Sequence, residues 1–283
     1  MKITTIITIV AVGLTLIAAG AYLQTGGTEK PVAEALTRLF NDGPVELPIN
    51  WGDLGRQLQK NGTIDRAKFD QLYAGRGGMH PDLAKLLDTE VTSPVMLTEE
   101  NSGELLNLFW AFGLANKNPI LEEGPMSDPR YGGAGRFAST GGWDLSAGDS
   151  MNHYSAYQLV VLTPDQQALV EEVSRNIYRP CCDNPTHFPD CNHGMALLGL
   201  LELMAANDVG EEELYRMALL VQQKWFPETY RDIREYARIK RLPVEFITAK
   251  RFLGRDYSSA SGYARVRADL APSLFESGTQ CSA

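Results

Sequence analysis

Three of the four cysteines and two of the four histidines lie between Arg179 and Met195, in the run RPCCDNPTHFPDCNHGM. Thiolates, imidazoles and a thioether at Cys181, Cys182, His187, Cys191, His193 and Met195 are the ligand types that soft and borderline metal ions take. Calcium and magnesium want oxygen donors instead. Pro180, Pro185 and Pro189, with the Asp183-Asn184-Pro185 turn, bring the ends of the run together. A Leu-rich helix over Gly194 to Ala206 is predicted just after it, with Asp190 or Asn192 as N-cap. Cys191 then stands at the positive end of a helix, which favours thiolate over thiol. His153 ends a preceding Gly-rich stretch and is the natural contributor from outside the run. These residues point to a site for a copper or zinc ion. Met195 is the weakest of them, because it shares its helix with Leu197, Leu198, Leu200 and Leu201.

Two other chemistries use the same cysteines. In a thiol–disulfide protein, Cys191 is the attacking thiolate and Cys182 the resolving partner. In a non-catalytic binding or scaffold module, Cys191 forms an inert disulfide with Cys181 or Cys182. Closing a loop of about ten residues stabilises a fold by roughly 2.5–3 kcal/mol on the chain-entropy model. The spacing matches neither a zinc finger nor a zinc ribbon. Haem-attaching Cys-x-x-Cys-His and thioredoxin-type Cys-x-x-Cys are both absent from the sequence. No catalytic residue set is defined.

A second candidate lies upstream, where Arg130, Gly132, Gly133, Gly135 and Arg136 stand together. Backbone N–H groups in such turns can form an anion nest, and two arginines would strengthen it. No Gly-Lys-Ser/Thr tripeptide follows, so this is not a phosphate-binding P-loop, and no nucleotide cofactor is implied. Asn61-Gly62-Thr63-Ile64-Asp65 resembles an EF-hand core only superficially, because Gln57 and Lys68 stand where acids are required. Ser258, Ser259 and Ser261 lack a Gly-x-Ser-x-Gly elbow, which argues against a serine hydrolase. His80 precedes Pro81 at a predicted helix start and reads as structural.

The elements that must position these side chains are mostly α. Helical apolar stripes are predicted from Pro31, over Thr63 to Leu72, over Pro81 to Leu87, and from Thr98. The last of these carries Leu105, Leu106, Leu108, Phe109, Phe112 and Leu114. It is apolar on nearly every side, the pattern of a central core helix. Thr163-Pro164-Asp165 opens another helix with an N-cap and a Pro at the first turn. Glu211 to Phe226 opens with three acids at its positive end. Further helices are predicted from Pro227, over Val244 to Leu253, and over Ser259 to Leu270. Gln158 to Leu162 is the one stretch that reads as a short strand. Between 117 and 157 lies a long Gly-rich connection whose aromatic residues argue for an ordered loop over the core.

The N-terminus adds a compartment. Ile3 to Leu23 is a charge-free apolar run, long enough to span a hydrocarbon core about 30 Å thick. It reads as a transmembrane signal-anchor, N-terminus inside, or as a signal peptide cleaved after Ala21. Residues 24–30 form a polar tether, and 31–283 a single helical domain outside the cytoplasm, periplasmic or extracellular. The membrane is thus the one partner the sequence implies. With 26 Lys+Arg against 35 Asp+Glu, the formal charge of −9 argues against a nucleic-acid partner.

Overall fold

Among the described residues the two most apolar helical segments, Ser102–Ala115 and Asn192–Ala206, pack against each other more extensively than any other pair. Their approach is set by glycine. A Cβ on Gly113 would lie 2.3 Å from the Met195 carbonyl oxygen, and one on Gly199 would lie 2.6 Å from that of Phe109. Only bare backbone lets the helices come this close. The remaining elements are arranged around this pair.

The computed structural model describes residues 30–276. The apolar run 3–23, the tether up to residue 29, the cleavage position after Ala21 and Cys281 lie outside the described residues. Residues 30–39 are helical (α1). They lead into strand β1 (Val45–Leu47), then α2 (Leu54–Lys60), α3 (Arg66–Ala74), α4 (Pro81–Asp88) and strand β2 (Val95–Leu97). Helices α5 (Ser102–Ala115) and α6 (Pro119–Glu122) follow. After the Gly-rich connection come α7 (Pro164–Asn176), α8 (Asn192–Ala206), α9 (Glu211–Trp225) and α10 (Pro227–Ile239). The described chain closes with α11 (Ala249–Leu253), α12 (Arg255–Ser258) and α13 (Ala260–Glu276). The chain is mostly helical, as its periodicity indicates. Among the described residues no helix is long and apolar enough to cross a membrane.

Several elements differ from expectation. Gln158 to Leu162 is not a strand. The Leu159 and Val160 amides donate to the Asn116 side chain, at 3.1 and 2.9 Å, instead of to a neighbouring strand. The sheet lies elsewhere, as an antiparallel pair with Val45 opposite Leu97 and Leu47 opposite Val95. Three residues per strand are too few to display alternation. Helix α3 starts later than expected because Asp65 caps it, its carboxylate accepting from the Ala67 and Lys68 amides. His80 caps α4 through Nδ1, which gives it the structural role its position suggests.

The Gly-rich connection is ordered. It folds into short 3-10 turns at Pro125–Ser127, Pro129–Tyr131, Ala134–Arg136 and Ser150–Asn152. Trp143 anchors it, fully buried, with its indole N–H on the Thr63 carbonyl at 2.8 Å. Trp110, on α5, packs edge-on at 4.7 Å from Trp143 and donates to the Ser139 carbonyl. The aromatic residues thus pin the loop onto the central helix.

Helix α8 also buries an acid. Glu202 is fully enclosed, and its Oε2 accepts a 2.6 Å hydrogen bond from Asn116 Nδ2. Burial pushes its carboxyl from an ordinary 4.5 up to about 8, against the opposing effect of Asn116 and Asn118. Folded protein therefore keeps this proton over a pH range in which the unfolded chain releases it. The associated stability is complete below the unfolded value and is lost as pH rises through the folded one. Unfolding free energy should fall by on the order of 1 kcal/mol per pH unit across that window. Glu202→Gln should flatten this part of the profile and make the protein more stable than wild type at pH 8. Denaturant titrations of both proteins from pH 4 to 9 test this, and parallel profiles would contradict it.

Candidate metal centre

The Cys/His run is fixed at both ends before any of its sulfur atoms is placed. The Thr186 amide donates to the Ile177 carbonyl at 2.7 Å, and the Ala260 amide to that of Cys182 at 2.9 Å. Asp183 accepts from the Ser261 amide at 2.8 Å, which ties the run to the start of α13. On its other side, Phe188 meets Tyr131 and Phe137 with ring centroids 5.2 and 5.3 Å away. The Ser139 amide donates to the Asp190 carbonyl at 3.2 Å. The Gly-rich loop and the last helices therefore hold the run between them.

At its centre stands Arg179, completely buried. Its Nε donates to Cys191 Sγ at 3.3 Å, and its Nη2 to Cys182 Sγ at 3.2 Å and Asp190 Oδ1 at 2.9 Å. Nη2 also lies 3.3 Å from the Phe188 carbonyl, and Nη1 donates to Thr186 Oγ1 at 3.4 Å. Asp190 is held in turn by Asn184 Nδ2 at 2.8 Å. The guanidinium needs space that a side chain at 194 would take, because a Cβ on Gly194 would lie 2.8 Å from Arg179 Cζ. Burial works against the Arg179 charge, yet Cys191, Cys182 and Asp190 raise its pKa above the ordinary value.

Cys191 is the N-cap of α8, in place of the expected Asp190 or Asn192. Its sulfur accepts the Gly194 amide at 3.4 Å. Asp190 is unsuited to that role because its carboxylate is engaged by Arg179 and Asn184. Hydrogen bonds from Cys181 and Cys182 hold the Cys191 thiol well below its usual range, against the effect of burial. His193 and the Arg179 cation add to this shift. Cys181 shows the reverse: hydrogen bonding to Cys182 and Cys191, then burial, pushes its thiol up. The two thiols are thus shifted in opposite directions, Cys191 down and Cys181 up.

Cys181 Sγ and Cys191 Sγ are 3.5 Å apart, and Cys181, Cys182 and Cys191 are all free thiols. Ligand atoms of Cys181, Cys191 and His193 lie within 4.8 Å of one another, as do those of Cys182, Asp190 and Cys191. Two sulfurs on a tetrahedral zinc ion, each about 2.3 Å from the metal, are about 3.8 Å apart. The arrangement has the donor types and the size to hold a metal ion. His193 is braced by Phe226 and Trp225, with ring centroids 4.5 and 5.7 Å away.

The other expected residues have different neighbours. His187 is buried away from the sulfur group, beside Arg175 and Glu171, and burial followed by the Arg175 charge lowers its pKa. Its backbone N–H, bonded to the Ser174 carbonyl, commits it to α7. His153 is buried under the loop, with Nδ1 3.0 Å from the Tyr157 hydroxyl and Nε2 3.2 Å from the Ala147 carbonyl. Neither histidine belongs to either donor group. Met195 is fully buried in the α5–α8 core. In the candidate anion nest, Arg130 bonds Asp128 through Nη2 at 2.6 Å, and Arg136 lies folded over Gly132. Arg130 thus spends its charge within its own turn. Gly132 and Gly133 have the positive φ values, 75° and 103°, that such a turn requires.

No known family, curated protein or solved structure matches the chain. The site's chemistry therefore rests on its geometry.

Arg179 escaped the sequence reading, although it opens the run. Nothing in residue type separates a buried arginine from a surface one. The available signal was its position beside two cysteines and eleven residues before Asp190. Replacing Arg179 with Met removes the partner of a partly buried carboxylate and should cost about 3 kcal/mol of stability. It should also slow alkylation of Cys191 by iodoacetamide at pH 6, read site by site from peptide masses. Arg179→Lys keeps the charge without the planar fork and should fall between the two. An unchanged Cys191 rate in a folded Arg179→Met protein would contradict the assigned electrostatics.

Proposed function

We propose that this protein binds one thiophilic metal ion, zinc in preference to copper, at the N-terminus of α8. Cys191, Cys181 and His193 are the ligands. The convergence of two thiol sulfurs and one imidazole within 4.8 Å carries this reading. Thiolate and imidazole together suit zinc and copper and suit oxygen-seeking cations poorly. Charge balance favours the divalent ion. Arg179 and Asp190 cancel, so two thiolates leave two negative charges for the metal to neutralise. Copper(I) would leave one of them uncompensated in a partly buried site. Arg179 and the Gly194 amide act as outer partners that hold the Cys191 sulfur as an anion. The proposal includes an extracytoplasmic, membrane-anchored location, which the apolar run 3–23 supports.

The 3.5 Å contact between Cys181 and Cys191 also favours a second reading, thiol–disulfide exchange. In that chemistry the Cys191 thiolate attacks a substrate disulfide and expels one thiolate. Cys181 then attacks the mixed disulfide, releases the second thiolate and loses its proton to solvent. Cys181 replaces the resolving partner expected from sequence, Cys182, because it makes the direct contact.

Metal titrations of the reduced protein distinguish these readings. We expect one equivalent of zinc to bind, and Cys191→Ser or His193→Ala to weaken binding by at least about tenfold, equivalent to 1.4 kcal/mol. His153→Ala and His187→Ala should bind normally. Affinity should fall as pH drops, because protons compete for the thiolates and the imidazole. Absence of tight binding, together with rapid Cys181–Cys191 disulfide formation from oxidised glutathione, would replace the metal reading with the redox one.

A further inference from the structure

A cavity of about 570 Å³ opens between α9, α10 and the segment after α1, and it includes none of the cysteines. Its volume lies within the range of small-molecule sites. Phe40, Pro227 and Tyr230 give it apolar walls, and Lys224 contributes a buried charge. The Lys224 side chain is only 3% exposed. Its ammonium donates to the Asp42 carbonyl at 2.8 Å, and its nearest carboxylate, Glu99, stands 4.0 Å away and is itself 75% exposed. An ammonium has three donors, and a buried charge without a close counter-ion is costly. The negative end of α9 offsets part of that cost, because Lys224 lies in its last turn.

We propose that this cavity binds a small monocarboxylate with an apolar body. The carboxylate takes the unspent donors of Lys224, and the body packs on Phe40, Pro227 and Tyr230. Arg231, 71% exposed and only loosely paired with Asp232 at 3.9 Å, draws the anion to the mouth. Arg234 is already engaged, 3.5 Å from Asp42 and over the Phe40 ring. Asp42, Glu99 and Glu228 also line the cavity. These three acids tolerate one negative charge beside Lys224 and repel a doubly charged phosphate. The cavity shares no lining residue with the ligands of the metal centre.

The test is calorimetric titration of the full chain in detergent with 3-phenylpropionate, against blanks in the same detergent. We expect saturable binding at one site. The alcohol 3-phenylpropanol and the dianion phenylphosphonate should each bind at least about tenfold more weakly. Lys224→Met keeps most of the buried stem and should lose at least about tenfold in affinity. A lysine serving only to cap α9 would lower the Lys224→Met melting temperature without changing 3-phenylpropionate binding, and that result would overturn the proposal. So would equal binding of acid and alcohol by the wild-type chain, a comparison that needs no variant. Tighter binding of phenylphosphonate, or no saturable binding of the carboxylate, would overturn it as well.

Discussion

A fully buried guanidinium must be surrounded by acceptors, and Arg179 finds them among sulfur, carboxylate and carbonyl groups on both sides of one short run. That requirement accounts for much of the local structure. Cys191 and Cys182 turn inward because Arg179 donates to both. Asp190 leaves the helix-capping position to Cys191 because its carboxylate is needed as a counter-ion. Residue 194 lacks a side chain because the guanidinium passes over it. Removing the arginine would leave a carboxylate and a thiolate facing each other without a cation, an arrangement a partly buried site does not sustain.

The helical framework supplies rigidity to this cluster. Helix α8 presents Cys191 and His193 at its first turn and runs on through the core, where Met195, Leu197 and Leu198 are fully enclosed. Gly113 and Gly199 fix its distance from α5. The same helix carries Glu202, so one element holds a thiol shifted down at its half-buried end and an acid shifted up in the core. Environment sets the difference. Cys191 has a helix dipole, a cation and neighbouring thiol donors, whereas Glu202 has two amides in an apolar core.

Sequence pattern revealed the helices wherever a long apolar stripe or a strong cap was present, as in α5, α7, α9 and α10. It missed β1 and β2 because three residues cannot show a period. The clustering of Cys181, Cys182, Cys191 and His193 was visible in the spacing alone. The helix-end location of Cys191 was visible too, although the residue that caps the helix was not. His153 and His187 share the residue types of the site and yet make other contacts. Their ring environments depend on Tyr157, Ala147 and Arg175, residues whose proximity only the tertiary fold determines. The pairing of Cys191 with Cys181, and the role of Arg179, depend on that fold in the same way. For Arg179 and the cysteines the missing information was which face of a short, proline-rich turn points inward.

Cys181, Cys191 and His193 are the ligands proposed for a single ion. X-ray absorption at the zinc edge of the zinc-loaded full chain reads those ligands directly. We expect a shell with two sulfurs at about 2.3 Å and one nitrogen at about 2.0 Å, one sulfur being lost in Cys191→Ser. A shell of oxygen and nitrogen alone, or one unchanged in Cys191→Ser, would contradict it.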